Sequence, residues 1–446
     1  MRINLSFVRR AQQALVIAAG LLSALHAQAA LNIQHWQTGN GSAVYFVENH
    51  DLPIIDISTN FAAGSARDGG KPGLAGITRY LMTLGAGGLT DQQISNGMAD
   101  VGAILGGELD ADRAAFKLRT LSSEREQKAA LDIYTKILHQ PDFPEATLKR
   151  EKARIIAGLK EAATQPASIA NRTFLKALYG NHPYAVEEDG EPESVNALSQ
   201  ADLQQFYRQY YGAKNAVIAL MGDMTPEQAR AIAERISAGL PDSPAAAALP
   251  EVAYPQAAVE RRIAHPASQS HIMLGYPGNK RGDPDYFALY VGNYILGGGG
   301  FVSRLTEEVR EKRGLVYSVY SYFMPMQQLG QFQIGLQTKR DQAEDALKLV
   351  RETLANFISK GVTEAELKAA KQNIIGGFPL RIDSNSKILD YLAVIGFYKL
   401  PLNYLDEFNA KVEAVTAAQV KDAFSRRIDP DKLVTVVVGG TESGGK

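Results

Sequence analysis

The stretch Ala146-Thr-Leu-Lys-Arg-Glu-Lys-Ala-Arg-Ile-Ile-Ala-Gly158 is repeated 219 residues later as Ala365-Glu-Leu-Lys-Ala-Ala-Lys-Gln-Asn-Ile-Ile-Gly-Gly377. A second pair of similar segments, Asn215–Gly222 and Lys432–Gly439, is 217 residues apart. Solenoid repeats have much shorter periods, and here the offset is nearly constant. The sequence therefore predicts two homologous halves that arose by duplication of one domain.

The order of hydrophobic patterns indicates an α+β fold. Each half begins with strand-like stretches, continues with helices in which Leu and Ile recur at helical spacing, and ends with an apolar strand. This order predicts two homologous α/β sandwich domains. The stretches are Ala43–Val47, Ile54–Ser58, Pro144–Ala163 and Ala216–Met221 in the first half, and His271–Leu274, Glu364–Phe378 and Leu433–Val438 in the second.

A boundary between the halves is visible in the composition. The segment Pro241–Pro250 is rich in Pro and Ala and has little periodicity, which is typical of a linker. We predict a first domain over residues 30–240, a linker over 241–254 and a second domain over 255–446.

The amino terminus has the features of a secretory signal. Arg2, Arg9 and Arg10 precede the apolar run Ala14–Leu25, and Ala27-Gln28-Ala29 follows it as an A-x-A cleavage site. The apolar run is short for a bilayer-spanning helix, so that an uncleaved anchor is the less favoured alternative. We expect a signal peptide over residues 1–29 and an exported protein without a stable membrane span, periplasmic in a bacterium with two membranes.

Composition excludes several classes of function. The chain of 446 residues is 45% apolar and 21% charged, as ordinary globular proteins are. Its 47 basic and 48 acidic residues give a net charge of −1, so that nucleic-acid binding is not expected. The absence of cysteine excludes disulfides, thiolate metal sites and cysteine nucleophiles.

Three stretches together resemble the pitrilysin or insulinase family of inverted-motif zinc peptidases, in particular the half-length branch with the mitochondrial processing peptidase subunits. They are Lys71–Leu81, the pattern His182-Pro-Tyr184 to Asp223, and Gly297–Ser318 with its Ser303-Arg-Leu305 and Arg-x6-Tyr elements. The resemblance covers nearly all of the chain after the signal. It implies two sandwich domains that form half of a clamshell-shaped peptide chamber.

The family's zinc motif is degenerate here. Catalytic members carry H-x-x-E-H, in which two His ligands and a Glu general base lie on one helix. The resemblance places Gly76 and Tyr80 at the ligand positions, Arg79 at the base position, and Ala157-Gly158-Leu159 at the distal Glu ligand. Glycine has no donor and Arg79 carries a permanent positive charge. We therefore expect neither a metal nor peptidase activity in this chain alone.

A relocated catalytic site is not indicated. The six histidines after the signal share no short ligand spacing, and no G-x-S-x-G occurs. His182 lies close in sequence to Glu187, Glu188 and Glu191, but the family pattern accounts for His182 structurally, and the acids are typical of a solvated loop.

The second half retains residues that the resemblance assigns to substrate. Arg310 and Tyr317 of the Arg-x6-Tyr element are expected to bind the peptide backbone and to stabilise charge on the scissile carbonyl. In the alternative interpretation Arg310 belongs to a charged helix face and Tyr317 packs in a strand. The run Gly297, Gly298, Gly299 and Gly300 either guides peptide substrate or is a flexible connector.

These observations favour a non-catalytic subunit of an exported heterodimeric zinc peptidase. A homologous H-x-x-E-H subunit is the expected partner and would hold the zinc, and peptides are the expected substrates. One alternative is an inactive, holdase-like homodimer that binds extended peptides at a sheet edge. Another is an assembly protein that only stabilises a catalytic partner.

Overall fold

A computed structural model describes residues 31–439. The predicted signal peptide lies outside the described residues. Within the described part of the chain, no helix combines the length and the apolar character needed to cross a bilayer.

From residue 31 onward, the first half contains eight strands and eight α-helices. They are β1 (Gln34–Gln37), β2 (Ala43–Glu48), β3 (Ile54–Phe61), α1 (Leu74–Met82), β4 (Gly85–Ala86), β5 (Leu89–Thr90), α2 (Asp91–Ala99), β6 (Ile104–Gly106), β7 (Ala114–Leu121), α3 (Glu124–His139), α4 (Glu145–Ala162), α5 (Pro166–Tyr179), α6 (Pro192–Ala197), α7 (Gln200–Tyr210), β8 (Ala216–Gly222) and α8 (Pro226–Ala238).

The second half contains five strands, six α-helices and two π-helical turns within its described residues. They are β9 (Val259–Ile263), β10 (Gln269–Pro277), α9 (Tyr286–Asn293), the π-helical turns Tyr294–Gly298 and Thr306–Glu311, β11 (Val316–Phe323), β12 (Gln331–Lys339), α10 (Ala343–Lys360), α11 (Glu364–Gly377), α12 (Asn385–Phe397), α13 (Phe408–Ala414), α14 (Ala417–Arg427) and β13 (Val434–Val438).

The two main sheets have the same topology. The first has the order β1-β2-β8-β3-β7-β6 and the second has the order β11-β12-β10-β13-β9. Without β1, the two orders correspond strand for strand when one is reversed, and each sheet contains one parallel pair, β2 with β8 and β9 with β13. The predicted α+β fold with two homologous domains is confirmed. In this correspondence β6 and β11 are equivalent edge strands.

The sequence of β13 shows how the sheet is covered. All five of its residues, Val434-Thr-Val-Val-Val438, are buried, as is typical of a strand with helices on both faces. Val434, Val436 and Val438 pack with Phe174 and Leu178 of α5, and Val437 belongs to the core on the opposite face. The helix α5, however, belongs to the first half of the chain.

The two halves exchange helices. Helix α5 packs on β10 and β13 of the second sheet, and its counterpart α12 packs on β2, β3 and β8 of the first. Glycines permit both contacts: a Cβ on Gly275 of β10 would lie 2.4 Å from Phe174 Cζ, and one on Gly396 of α12 would lie 2.6 Å from Val217 Cγ1. The halves are therefore interlocked through reciprocal packing of equivalent helices.

A buried carboxylate also joins the halves. Asp112 accepts hydrogen bonds from Tyr184 Oη at 2.5 Å, from Tyr398 Oη at 2.9 Å and from the backbone N–H of Gln327 at 2.7 Å. The side chain is 2% exposed, and this burial raises the pKa of its carboxyl group. Because two of these three donors belong to the second half, Asp112 stabilises one arrangement of the two domains.

Candidate functional site

Helix α1, which the resemblance identified as the metal helix, begins at a buried carboxyl group. Gly73 adopts φ +90 at the helix start, and Asp68 accepts hydrogen bonds from the N–H groups of Gly73 at 2.8 Å and Ala75 at 2.7 Å. Burial raises the pKa of Asp68 to about 7, although these two hydrogen bonds oppose the shift. The carboxyl group thus fixes the start of α1 from inside the domain.

Gly76 lies close to the backbone of a neighbouring loop. A Cβ at this position would lie 3.0 Å from the carbonyl oxygen of Glu188, which is tighter than an ordinary contact. The loop that contains Glu188 therefore closes over the face of α1 where the first His ligand of a zinc site would project.

Arg79 fills the position of the general base with a fixed cation. Its Nε donates to the carbonyl oxygen of Ala115 at 3.1 Å, and its guanidinium carbon lies 5.6 Å from the centre of the Phe116 ring. Burial lowers the pKa of the guanidinium, yet arginine remains protonated at neutral pH. The side chain thus binds β7 and places positive charge at the position that the resemblance assigns to the general base.

The remaining two positions also lack metal-ligand chemistry. The Tyr80 ring lies 5.3 Å from the guanidinium carbon of Arg154, which Glu151 holds at 2.7 Å. Gly158 is exposed on α4, and an added Cβ there would have nothing within 4 Å. Two arginines, a phenol and two glycines do not fit Zn²⁺, because a structural or catalytic zinc needs three or four anionic or imidazole donors.

The histidines do not assemble a second site. Residues 31–439 contain no group of three or more His, Cys, Asp or Glu side chains arranged to hold a metal ion. Five of the histidines bond instead to structural partners: His35 to Val44, His50 to Glu48 and Asp223, His139 to Ile236, His182 to Pro250 and His265 to Thr164. Nor does His182 join an acidic cluster, since its other ring nitrogen accepts from the N–H of Tyr184.

Arg310 and Tyr317 lie together on the surface of the second domain. The Arg310 guanidinium carbon lies 4.9 Å from the ring centre of Phe301 and 5.8 Å from that of Tyr317, so that the cation is held between two aromatic rings. Tyr317 is 80% exposed and sits at an irregularity of the edge strand β11, between the paired residues Val316 and Ser318. Arg310, Tyr317 and Phe301 therefore form one group of side chains at the surface of the second domain.

Comparison with known proteins gives the family. Residues 45–187 match the model of the insulinase family, peptidase family M16, and residues 197–374 match that of the M16 inactive domain. The crystal structure of a peptidase M16 inactive domain from Pseudomonas fluorescens is 41% identical to this chain; the match covers 92% of this chain and 98% of that one, with a TM-score of 0.90. The chain belongs to the insulinase family. The resemblance inferred from the sequence motifs is confirmed.

Curated relatives of the insulinase family fall into two kinds. An uncharacterized zinc protease of Streptomyces coelicolor is 28% identical over 371 residues, which is 80% of each chain. The non-peptidase homolog YmxG of Helicobacter pylori is 27% identical over 404 residues, which is 89% of this chain and 91% of that protein. Because the zinc ligands are absent at Gly76, Tyr80 and Gly158, this chain is an inactive member of the family.

The glycine run of this insulinase-family chain has a steric basis. A Cβ on Gly297 would lie 2.4 Å from Ser321 Oγ, and one on Gly299 would lie 2.7 Å from the carbonyl oxygen of Tyr294. Gly300 has φ +63, a conformation that favours glycine. The run forms helical turns packed against β11 and ends directly before Phe301. It therefore positions the Phe301 ring beside Arg310. A role in guiding substrate stays a prediction.

Two further residues have roles that the sequence did not reveal. Arg304, in the Ser-Arg-Leu element, donates to both oxygens of Glu366 at 2.6 and 2.7 Å and to the carbonyl oxygen of Gly361 at 3.0 Å, and so anchors the start of α11. Phe301 is 72% exposed beside Arg310, although its neighbours in sequence are glycine and valine. The sequence signal for this exposed aromatic side chain was the apolar pair Phe301-Val302 directly after the glycine run.

Proposed function

We propose that this chain is the non-catalytic subunit of an exported heterodimeric zinc metallopeptidase. In this proposal a homologous partner with an intact H-x-x-E-H motif holds the zinc, and this chain forms part of the peptide chamber. The observation that carries the proposal is the exposure of Tyr317, at 80%, beside an Arg310 held between two rings. A residue kept only for packing has no reason to be so exposed.

The hydrogen-bonding state of Arg310 supports a role toward a ligand. Within the described residues its guanidinium makes no hydrogen bond, and its one acidic neighbour is Glu311, with Nε 3.7 Å from the carboxylate oxygen. Phe301 and Tyr317 orient the guanidinium without occupying its N–H donors. A peptide carbonyl or a developing oxyanion would therefore meet free donors from Arg310 and from the Tyr317 phenol.

The exposure of Tyr317 supports this proposal over the purely structural interpretation of the Arg-x6-Tyr element. In that interpretation Tyr317 packs in its strand, whereas the neighbouring Val316 and Val319 are buried and Tyr317 projects outward. A second candidate, a peptide-binding homodimer without hydrolysis, draws support from the exposure of Tyr317 and Tyr320 on the edge strand β11.

A native pull-down of the tagged full chain tests the proposal. We expect chelator-sensitive peptidase activity in the pull-down and none in the same chain purified alone. In the assembled complex Arg310→Ala should lower turnover by about 100-fold, the scale of one lost oxyanion donor. Arg313→Ala is the matched control, because Arg313 is exposed nearby but does not belong to the group of Phe301, Arg310 and Tyr317.

The two candidates predict different results in this experiment. A single polypeptide in the eluate, with peptide binding but no hydrolysis, would favour the homodimer. Full turnover of an assembled Arg310→Ala complex would exclude the proposed role of Arg310 and leave only a scaffold function for the chain.

A further inference from the structure

The second domain contains a pocket that the proposed function does not use. It has a volume of about 430 Å³ and lies between the start of α9, the segment after α12, and the helices α13 and α14. Its polar lining includes Arg281, Asp283, Asp285, Gln419 and Asp422. The chemistry of these side chains decides what the pocket accepts.

The acidic groups of the pocket are already occupied. Asp285 accepts from Arg426 at 2.8 and 2.9 Å and from Arg427 at 2.9 Å. Asp283 accepts from Arg427 at 2.8 Å, and Asp422 accepts from Arg426 at 2.7 and 2.9 Å. Two arginines thus pair with all three carboxylates, and the one negative charge that remains among these five groups is offset by the Arg281 cation of the lining.

Two side chains of the pocket have unused donors, namely Gln419 and Arg281, whose guanidinium carbon lies 5.2 Å from the centre of the Tyr398 ring. Within residues 31–439 the Arg281 side chain makes no hydrogen bond or ion pair, and its buried Nε has no acceptor. Gln419 is oriented by the helix cap of α14: its Oε1 accepts from the Thr416 N–H at 2.8 Å and from the Thr416 hydroxyl at 3.2 Å. This leaves the Gln419 amide NH₂ without an acceptor in the described part of the chain. The pocket therefore presents unused donors beside carboxylates that already pair with arginine.

The rest of the lining is apolar and aromatic except for Lys411, whose Nζ pairs with Glu407 at 2.8 Å and lies 5.8 Å from the centre of the Phe287 ring. Phe287 lies 6.4 Å from Tyr404 and 5.7 Å from Phe408, measured between ring centres. Leu400 and Val415 complete the wall. Such a surface binds a flat or branched apolar body, while the free donors select its acceptor end.

The corresponding place in the first domain is closed. There the start of α1 meets the segment before α6, and a Cβ on Gly73 would lie 3.0 Å from the Asp189 carbonyl oxygen and 3.2 Å from Val195 Cγ2. At this point of the first domain the neighbouring segment therefore packs closely against the start of α1.

We infer that this pocket binds a carboxylate attached to an apolar or aromatic body, with Arg281 and the Gln419 amide as the donors to the carboxylate. The terminal carboxylate of a peptide that ends in an apolar residue and a free aromatic acid share this chemistry. The inference is independent of the proposed partner, because the donors and the walls all belong to this chain.

Ligand-observed NMR titration of the full chain tests the inference with three probes. They are N-acetyl-phenylalanine, its uncharged amide, and a pentapeptide that ends in phenylalanine with a free carboxylate. We expect the two carboxylates to bind at least about 10-fold more tightly than the amide, since a hydrogen bond to a charged group is worth about 1.5–3 kcal/mol. Tighter binding of the pentapeptide than of the acetylated amino acid would identify peptide ends as the source, and equal binding would identify small acids.

Two variants locate the binding. Arg281→Met should weaken binding of N-acetyl-phenylalanine by about 10- to 100-fold. Gln419→Glu removes the amide donors but keeps the fold, because Glu is a favoured capping-box residue at this helix position. The control is Gln228→Glu, which makes the same change in the Thr-x-x-Gln capping box of α8, where no lining residue of the pocket lies.

The outcomes are separable from those of the proposed function, since no partner is present. Equal affinity for the acid and the amide overturns the inference. So does unchanged affinity in a folded Gln419→Glu protein together with a folded Arg281→Met protein.

Discussion

The carbonyl oxygen of Glu188 lies 3.0 Å from the point where a Cβ on Gly76 would come. The contact shows that packing, and not only the loss of ligands, acts against a zinc site on α1. A side chain at position 76 would require the Glu188 backbone to shift by a few tenths of an ångström, and Arg79 donates to the Ala115 carbonyl oxygen from the expected position of the general base. The packing around α1 therefore opposes a zinc site, in addition to the missing ligands.

Restoring the motif should not restore the metal. A variant with Gly76→His, Arg79→Glu, Tyr80→His and Gly158→Glu carries the full ligand set, yet we expect well under one bound zinc per chain. Zinc content by mass spectrometry after dialysis against zinc checks this. Gly76→His alone should already lower the free energy of unfolding by about 1–3 kcal/mol through overpacking. One chelator-removable zinc per chain in the restored variant would contradict the prediction.

Gly275→Ala should be strongly destabilising because it separates the exchanged helix from its sheet. The new Cβ would lie 2.4 Å from Phe174 Cζ and 2.5 Å from the Phe332 carbonyl oxygen. We expect a loss of about 3 kcal/mol in the free energy of unfolding, measured by denaturant titration. Gly158→Ala is the matched control: it lies exposed within α4 with open space around it, and should stabilise by about 0.5–1 kcal/mol. Equal effects at the two sites would refute tight packing of α5 on β10.

Glu366→Gln should remove a stabilising ion pair with Arg304, whose contribution is lost at acid pH. Hydrogen bonds from Arg304 hold the pKa of Glu366 at about 2, below the ordinary value of 4.5. The native state therefore favours the ionised carboxylate, and its contribution is present above about pH 4.5 and lost as the pH falls toward 2. After allowance for partial exposure we expect the variant to lose about 1–3 kcal/mol at pH 7. Acid unfolding curves of the two proteins should converge near pH 2; a constant gap would show that the ion pair is not responsible.

Asp68→Asn should alter the pH dependence of stability in the opposite direction to Glu366→Gln, because the pKa of Asp68 is raised and not lowered. Burial raises the pKa of Asp68 to about 7 from an ordinary 3.8, so that the folded chain binds a proton that the unfolded chain releases. Stability from this group is complete below about pH 4 and falls as the pH rises to 7, by up to about 4 kcal/mol. The Asn variant is neutral throughout and should lack this decline, which urea unfolding at pH 5 and pH 8 measures. An identical pH dependence in both proteins would contradict the raised pKa.

Much of the fold was predictable because the duplication is legible in the sequence. The repeated helix of Ala146–Gly158 and the closing strand before Gly222 each occur twice, and the structure contains both copies. The loss of the zinc ligands was equally legible, since Gly76 and Arg79 cannot bind a cation whatever their surroundings.

Contacts between the halves were not predictable from the pattern. Periodicity shows that Phe174 lies on a buried helix face but not which sheet covers that face. The hydrogen bond between Asp112 and Tyr398 joins residues 286 positions apart, and no local signal marks either partner. Likewise the exposure of Tyr317 depends on an irregularity in the pairing of β11, which an alternating sequence does not reveal.

The exchange of α5 and α12 has a mechanical consequence. Any rotation of one domain against the other would drag a helix off the sheet that it covers and expose apolar surface on both sides. We therefore do not expect the predicted linker over residues 241–254 to act as a hinge, despite its lack of helix or strand. In the proposed heterodimer, the opening that admits a peptide would then be a motion between the two subunits, in which this chain moves as one rigid unit.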